Sequence, residues 1–209
     1  MILSQALLLD LWIKKVMGKK ILIINGHPDS ESYNYALADA YAAGARESGA
    51  EVKVLNLREL DFQTNLSMGY RQRTELEPDL LRAQEEIRWA DHLVWIYPVW
   101  WGSLPALLKG FIDRAFLPGF SFQKREGSLW WDKLLKGKSA RVISTLDQPA
   151  WYYRWFNGRP TYHAMKKMTL KFCGISPVRT TTIGPLRLSK DSYRKKWLDK
   201  VGRLGMAQR

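Results

Sequence analysis

Two segments of the chain carry residues whose types and spacing can do chemistry. The first is Asn25-Gly26-His27-Pro28-Asp29-Ser30-Glu31-Ser32-Tyr33-Asn34, lying between an apolar run and a helical stretch that begins Tyr35-Ala36-Leu37. Gly26 permits a tight turn, Ser32 and Asn34 bring hydroxyl and amide donors, and His27 can add another. The first N–H groups of the following helix are unpaired and point into such a loop, which suits it to a phosphate. The plainer reading is a helix cap, with Ser32 or Asn34 serving the helix alone. The loop has neither Gly-x-Gly-x-x-Gly nor Gly-x4-Gly-Lys-Ser/Thr, so a dinucleotide-binding Rossmann turn and a nucleotide triphosphatase loop both lose support. The second segment is Tyr97-Pro98-Val99-Trp100-Trp101-Gly102-Ser103-Leu104-Pro105. Adjacent tryptophans on a loop bracketed by prolines are hard to explain as core filling. A planar ring is the natural guest, with loop backbone groups bonding its polar edge.

The elements that must position these loops follow from the hydrophobic pattern. Apolar runs at residues 21–24, 52–57, 93–97, 141–145 and 178–183 read as strands, the first of them buried on both faces. Helical stretches at 34–48, 74–89, 104–116, 163–172 and 190–204 alternate with them. Five strands alternating with five helices predict an α/β fold, a five-stranded parallel sheet with helices on both faces. Ligands bind such sheets at the carboxyl ends of the strands, near the reversal of strand order. Both singled-out loops leave strand carboxyl ends.

Composition bounds the answer further. The 209 residues include 33 Lys plus Arg against 20 Asp plus Glu, a formal charge of +13, with 46% apolar residues, 10 Trp, 9 Tyr and 7 Phe. So many aromatics exclude a solvated basic tail and indicate a folded chain of one domain over residues 17–209. The charge is one-sided: up to Pro105 there are 11 basic and 14 acidic residues, net −3, and beyond it 22 and 6, net +16. That half offers a surface for an anion, such as a phosphorylated cofactor, an acidic partner, nucleic acid or a membrane face. Equally, Arg194, Lys195, Lys196, Lys200 and Arg203 sit where a C-terminal helix would simply expose them. Cys173 is the one cysteine, which rules out a disulfide framework and a thiolate metal site and fits a reducing, cytoplasmic setting. His27, His92 and His163 lack metal-ligand spacing, so no metal is expected. Residues 1–16 are apolar, but Lys14 and Lys15 follow the run and Asp10 interrupts it, so they make a poor targeting signal. They read as an extension before a start at Met17, or as an amphipathic helix giving peripheral membrane contact.

Taken together, the His27 to Asn34 loop and the Pro98 to Lys109 run resemble the flavodoxin-like NAD(P)H:quinone reductases, a family of flavoproteins, over residues 19–204. The family's first loop, His then Ser, aromatic and Asn, is matched by His27, Ser32, Tyr33 and Asn34. Its second is matched by Pro98, Val99, Trp101, Pro105 and Leu108-Lys109-Gly110. Gly119-Phe120-Ser121-Phe122 and Phe172-Cys173-Gly174 continue the likeness. The resemblance implies a flavodoxin-like three-layer sandwich that holds a flavin phosphate in the first loop. It implies a ring held by Trp100, Trp101 and Gly102 and by the loop Thr145, Leu146, Asp147 and Gln148. That third loop departs from the family's Thr-Thr-Gly-Gly, and Pro149 has no N–H to give. Gln84 falls where FAD-binding members place a Gln near the adenine, which favours FAD over FMN. The family's active-site Tyr falls on Tyr153, beside Tyr152, and its catalytic His on Arg159, with His163 one helical turn further.

The implied activity is two-electron, ping-pong reduction of a quinone or related acceptor by NAD(P)H through the flavin, whose organic chemistry belongs to the cofactor. Tyr153 is the candidate proton donor, or else a wall of the pocket together with Tyr152, Trp151 and Trp155. Arg159 would stabilise an anion or grip a nicotinamide phosphate, but it cannot relay a proton. Cys173 reads as a buried small apolar residue, and Asp113 with Arg114 as a structural pair. Trp130 and Trp131 line a dimer interface or pack back on their own domain. The competing function is an ancillary flavoprotein subunit docking on a membrane transport system such as potassium efflux. Nucleic-acid binding lacks any reading motif.

Overall fold

The computed structural model describes residues 18–72 and 74–209. The expectations for residues 1–16 lie outside that range. The first apolar run forms β1 (Lys20–Asn25), buried from Ile21 onward. It is followed by α1 (Tyr33–Glu47), β2 (Glu51–Asn56), α2 (Pro78–Trp89), β3 (His92–Pro98) and α3 (Ala106–Ala115). Next comes an antiparallel hairpin of β4 (Phe122–Lys124) and β5 (Trp131–Lys133), then β6 (Ser139–Thr145) and α4 (Ala150–Trp155). A helical stretch α5 covers residues 160–173 with π-type turns across His163–Leu170, before β7 (Val178–Ile183) and α6 (Asp191–Met206).

Five strands pair in the order β2-β1-β3-β6-β7, every pair parallel. The order reverses between β1 and β3, so a crevice opens at the carboxyl ends of those two strands. Register decides what surrounds it. Asn25 pairs with Ile96, and Pro98 with Thr145, so the loops leaving β1, β3 and β6 emerge side by side on one edge.

Alternating strand residues serve opposite faces, as a period of two requires. Leu22, Ile24, Leu93, Trp95 and Tyr97 pack against α2, α3 and α5, while Ile21, Ile23, Val94 and Ile96 pack against α1 and α6. Each such side chain contributes about 1.5–3 kcal/mol by leaving water. Helices α1 and α6 cross at backbone contact, because a Cβ on Gly205 would lie 2.1 Å from the Tyr41 carbonyl oxygen.

Helix α2 starts four residues later than its periodicity suggests. Pro78 occupies its first position and holds Glu77 extended, at ψ 152°. Asp113 and Arg114 do not pair with each other, since neighbours on a helix point about 100° apart. Lys109 bonds Asp113 at 2.6 Å, whereas buried Arg114 donates to both Glu77 carboxylate oxygens at 3.1 and 2.7 Å. Arg114 also donates to the carbonyls of Gln63 and Glu75 at 2.7 and 3.0 Å, which ties Gln63, Glu75 and Glu77 to α3. Trp131 packs back on its own chain, its Nε1 donating to the Phe172 carbonyl at 3.1 Å, while Trp130 stays exposed. Cys173 is buried, and burial pushes its thiol up to about 11. Among the described residues no group of His, Cys, Asp and Glu has the geometry of a metal site. No helix there is long and apolar enough to cross a membrane.

Candidate functional site

The loops after β1, β3 and β6 enclose a cavity of about 420 Å³ at the reversal of strand order. His27, Ser32, Tyr33 and Asn34 line one side of it. Ser32 is the N-cap of α1, yet its side chain makes no cap hydrogen bond. Its Oγ and the Asn34 Nδ2 are both buried without a hydrogen-bond partner. A buried polar group left unpaired costs about 1–3 kcal/mol, so two of them at a helix N-terminus mark a place where an anion belongs. Thr145 fixes which way the amide points: its Oγ1 donates to Asn34 Oδ1 at 2.9 Å, leaving Nδ2 for the cavity.

The tautomer of His27 follows the same logic. The Asp29 N–H donates to Nδ1 at 3.0 Å, so the ring proton sits on Nε2. Burial lowers the His27 pKa, against the pull of Asp29, and keeps the ring neutral. Tyr33 presents its ring to the cavity. Its hydroxyl donates to the Arg194 carbonyl at 2.6 Å, and burial pushes its pKa up to about 12.

Pro98, Val99, Trp100, Trp101 and Gly102 form the opposite wall. The N–H groups of Trp100 and Ser103 exchange bonds with each other's carbonyls at 3.1 and 2.8 Å, closing a two-residue turn. Trp101 and Gly102 both have positive φ there, 50° and 69°. Glycine adopts this at no cost, but a tryptophan in the left-handed region is strained by about 1–2 kcal/mol. Its indole is fully exposed at the rim. The ring of Trp100 meets His27 edge-on at 5.4 Å.

The third wall is Thr145, Leu146, Asp147 and Gln148. The sheet consumes the Leu146 N–H, which donates to the Ile183 carbonyl at 3.0 Å. Among the described residues no acceptor takes the N–H groups of Asp147 and Gln148, so two donors survive in this loop despite Pro149. Asn157 and Leu186 complete the lining and were not foreseen. Asn157 donates to Gln148 Oε1 at 3.3 Å, and the Leu186 N–H donates to the Leu146 carbonyl at 3.1 Å. Asn157 comes from the segment just after α4, nine residues beyond Gln148, and Leu186 from the loop after β7.

Three expected site residues lie elsewhere. Gln84 is buried in α2, its Nε2 donating to the Ala115 carbonyl at 2.7 Å, and does not reach the cavity. Tyr152 turns outward and stacks on Phe156 at 5.1 Å, because its neighbour Tyr153 takes the inward face of α4. Arg159 lines a neighbouring cleft. Tyr153 does border the cavity, but Thr161 holds its hydroxyl: the Thr161 N–H donates to it at 3.1 Å and the two hydroxyls bond at 2.6 Å. The Tyr153 ring lines the cavity.

A strained aromatic turn faces a cluster of unpaired donors at a helix N-terminus, on the carboxyl edge of a five-stranded parallel sheet. These features define a flavodoxin-like protein. The family model described as flavodoxin-like fold matches residues 19–204, and the chain belongs to that family. It is 29% identical over 183 residues to an NAD(P)H oxidoreductase of Haemophilus influenzae, covering 85% of this chain and 90% of the relative. It is 28% identical to the human ribosyldihydronicotinamide dehydrogenase [quinone], covering 75% of this chain and 78% of that one. The crystal structure of Smu.1420 from Streptococcus mutans superposes with a TM-score of 0.77 at 30% identity, covering 90% of this chain and 99% of that one.

Proposed function

We propose that the protein is a flavin-dependent NAD(P)H:acceptor oxidoreductase that reduces quinones by two electrons in ping-pong fashion. The observation that carries this reading is the pair of buried, unpartnered donors, Ser32 Oγ and Asn34 Nδ2, at the start of α1. They suit the phosphate of a flavin whose ring lies towards the tryptophan turn. A bound flavin supplies hydride acceptance from a nicotinamide and two-electron delivery to an acceptor.

The chain's own residues bind and orient. Ser32, Asn34, the His27 Nε2–H and the first N–H groups of α1 hold the phosphate. Trp100 and Trp101 supply aromatic faces, and the Asp147 and Gln148 N–H groups meet the ring's polar edge. Reductant and acceptor would take the same open face of the ring in turn, which is what ping-pong order requires. The Tyr153 hydroxyl, paired with the Thr161 hydroxyl at 2.6 Å, and water at the exposed rim around Trp101 and Gln148 are the proton sources for the reduced acceptor. Gln84 gives no reason to prefer FAD, so a flavin phosphate is as far as these residues specify. The exposed Leu129 and Trp130 suit a homodimer contact, which light scattering would register.

The test is an absorbance spectrum of the purified protein with chromatography of the released cofactor. A yellow protein releasing FMN or FAD and oxidising NAD(P)H with a quinone supports the reading. Colourless protein whose Trp fluorescence neither flavin quenches refutes it.

A further inference from the structure

A second cleft, of about 400 Å³, lies beyond Tyr153, and the function just proposed makes no use of it. Trp151, Arg154, Trp155, Arg159 and Tyr162 wall it, and Thr180 and Thr182 of β7 add two hydroxyls. The Arg154 guanidinium sits 5.0 Å above the Trp155 ring, and that of Arg159 sits 4.5 Å above the Tyr162 ring. Among the described residues neither forms an ion pair. Stacking on an aromatic face places a guanidinium without neutralising it, so both keep their full donor capacity.

The backbone supports the same arrangement. Arg159 is held at φ 53° and ψ 59°, a left-handed conformation that a non-glycine residue keeps only when its surroundings impose it. The surrounding segment is strongly basic. Residues 148–190 contain no Asp or Glu and eight Lys or Arg. Trp151 and Trp155 are both largely exposed, offering planar faces on which a purine can stack. Two unpaired guanidiniums, two hydroxyls and two indoles are the chemistry of a phosphorylated purine nucleoside. The location says which one. Tyr153 borders both this cleft and the candidate flavin cavity, and the Arg159 N–H donates to its carbonyl at 3.2 Å. A ligand with a planar head in the cavity would carry its tail into the cleft.

We propose that the cleft binds the adenosine half of the nicotinamide dinucleotide and that Arg154 and Arg159 together select its 2′-phosphate, so that NADPH is preferred to NADH. The proposal rests on the oxidoreductase reading for the identity of the ligand, while the cleft's affinity for the nucleotide can be measured without turnover. A phosphate monoester is close to a dianion at neutral pH and calls for two cations, which the diphosphate linkage shared by NADH and NADPH does not distinguish. An anionic lipid headgroup offers the same phosphate chemistry, and the test separates the two sources.

The experiment is calorimetric titration of the protein as purified with 2′,5′-ADP and with 5′-AMP, alongside sedimentation with phosphatidylglycerol vesicles. Wild type is expected to bind 2′,5′-ADP at least about tenfold more tightly than 5′-AMP. Arg154→Gln and Arg159→Gly should each remove that margin. Glycine suits the left-handed backbone at 159, so that variant folds without added strain. Flavin content, read from absorbance, should match wild type in both variants. Equal affinity for the two nucleotides, no binding of either, or a margin that survives both substitutions overturns the proposal. Vesicle binding lost in the variants, with no nucleotide preference in wild type, overturns it in favour of a lipid headgroup. A colourless wild type that still prefers 2′,5′-ADP would leave this site standing and remove the flavin reading instead.

Discussion

Replacing Ser32 by alanine separates a helix cap from a ligand donor, because the two roles predict effects on different quantities. An N-cap serine that bonds its helix is worth about 1 kcal/mol, and alanine at such a site lowers stability accordingly. Ser32 makes no such bond, and its Oγ is buried without a partner. Removing it from the empty protein therefore sacrifices nothing and relieves an unsatisfied group, so the melting temperature of deflavinated protein should hold or rise slightly. With a flavin phosphate present the same hydroxyl donates to an anion, and hydrogen bonds to charged groups contribute about 1.5–3 kcal/mol. Ser32→Ala should then weaken FMN binding by about 10- to 150-fold. Riboflavin, which has the ring but no phosphate, provides the internal control. Titrating both into deflavinated protein and following Trp quenching should show the loss for FMN alone. A drop of several degrees in melting temperature, with the ratio of FMN to riboflavin affinity unchanged, would refute the reasoning and make Ser32 a cap.

Other perturbations test other parts of the structure. Arg114→Met takes the guanidinium from the Glu77 carboxylate and from two carbonyls and should cost about 1–3 kcal/mol in urea unfolding. Burial alone would raise the Glu77 pKa, but hydrogen bonds from the backbone and from Arg114 outweigh it and bring the pKa below 4.5. The stability Glu77 contributes is thus present above 4.5 and lost as pH falls through the lower folded value, and Glu77→Gln should flatten that acid limb. His92 is buried, its Nδ1 2.7 Å from Ser139 Oγ, and burial drops its pKa from 6.5 to about 3. Its contribution is present above pH 6.5 and lost as pH falls towards 3, so wild type should lose about 2 kcal/mol between pH 6.5 and 5 that His92→Gln does not. Trp101→Gly removes both the left-handed strain and the rim indole. Its melting temperature should not fall, while the KM for a quinone should rise by about two- to tenfold for the lost aromatic contact.

The legible parts of the site were those whose chemistry is contiguous in the chain. His27 to Asn34, Pro98 to Gly102 and Thr145 to Gln148 are each one loop at the end of a strand, and the strands announce themselves as apolar runs. Parallel register then brings the three loops together without further information. The residues that the sequence does not orient depend on direction. Tyr152 and Tyr153 are neighbours on α4, so only one can face the cavity, and nothing in Tyr-Tyr says which. Gln84 lies on α2 with its amide turned to the end of α3, where the Ala115 carbonyl needs a donor. Asn157 and Leu186 carry no motif at all. They line the cavity with hydrogen bonds to Gln148 and Leu146, contacts that no spacing in the sequence announces.

Charge needed the structure in a different way. The net +16 beyond Pro105 is equally compatible with a solvated helix and with an anion site. On α6, Lys195, Lys196 and Lys200 are exposed, which is solvation. Arg154 and Arg159 look no different from these in the sequence, yet each is stacked on a ring, and they share one cleft. A lysine free in solvent has no fixed direction and selects nothing, whereas a guanidinium held over an aromatic face presents its donors in one geometry. Selectivity for a doubly charged phosphate would therefore come from two residues rather than from the basic half as a whole. Raising ionic strength should weaken 2′,5′-ADP binding more than 5′-AMP binding and so narrow the margin, because the added phosphate meets guanidiniums that solvent reaches.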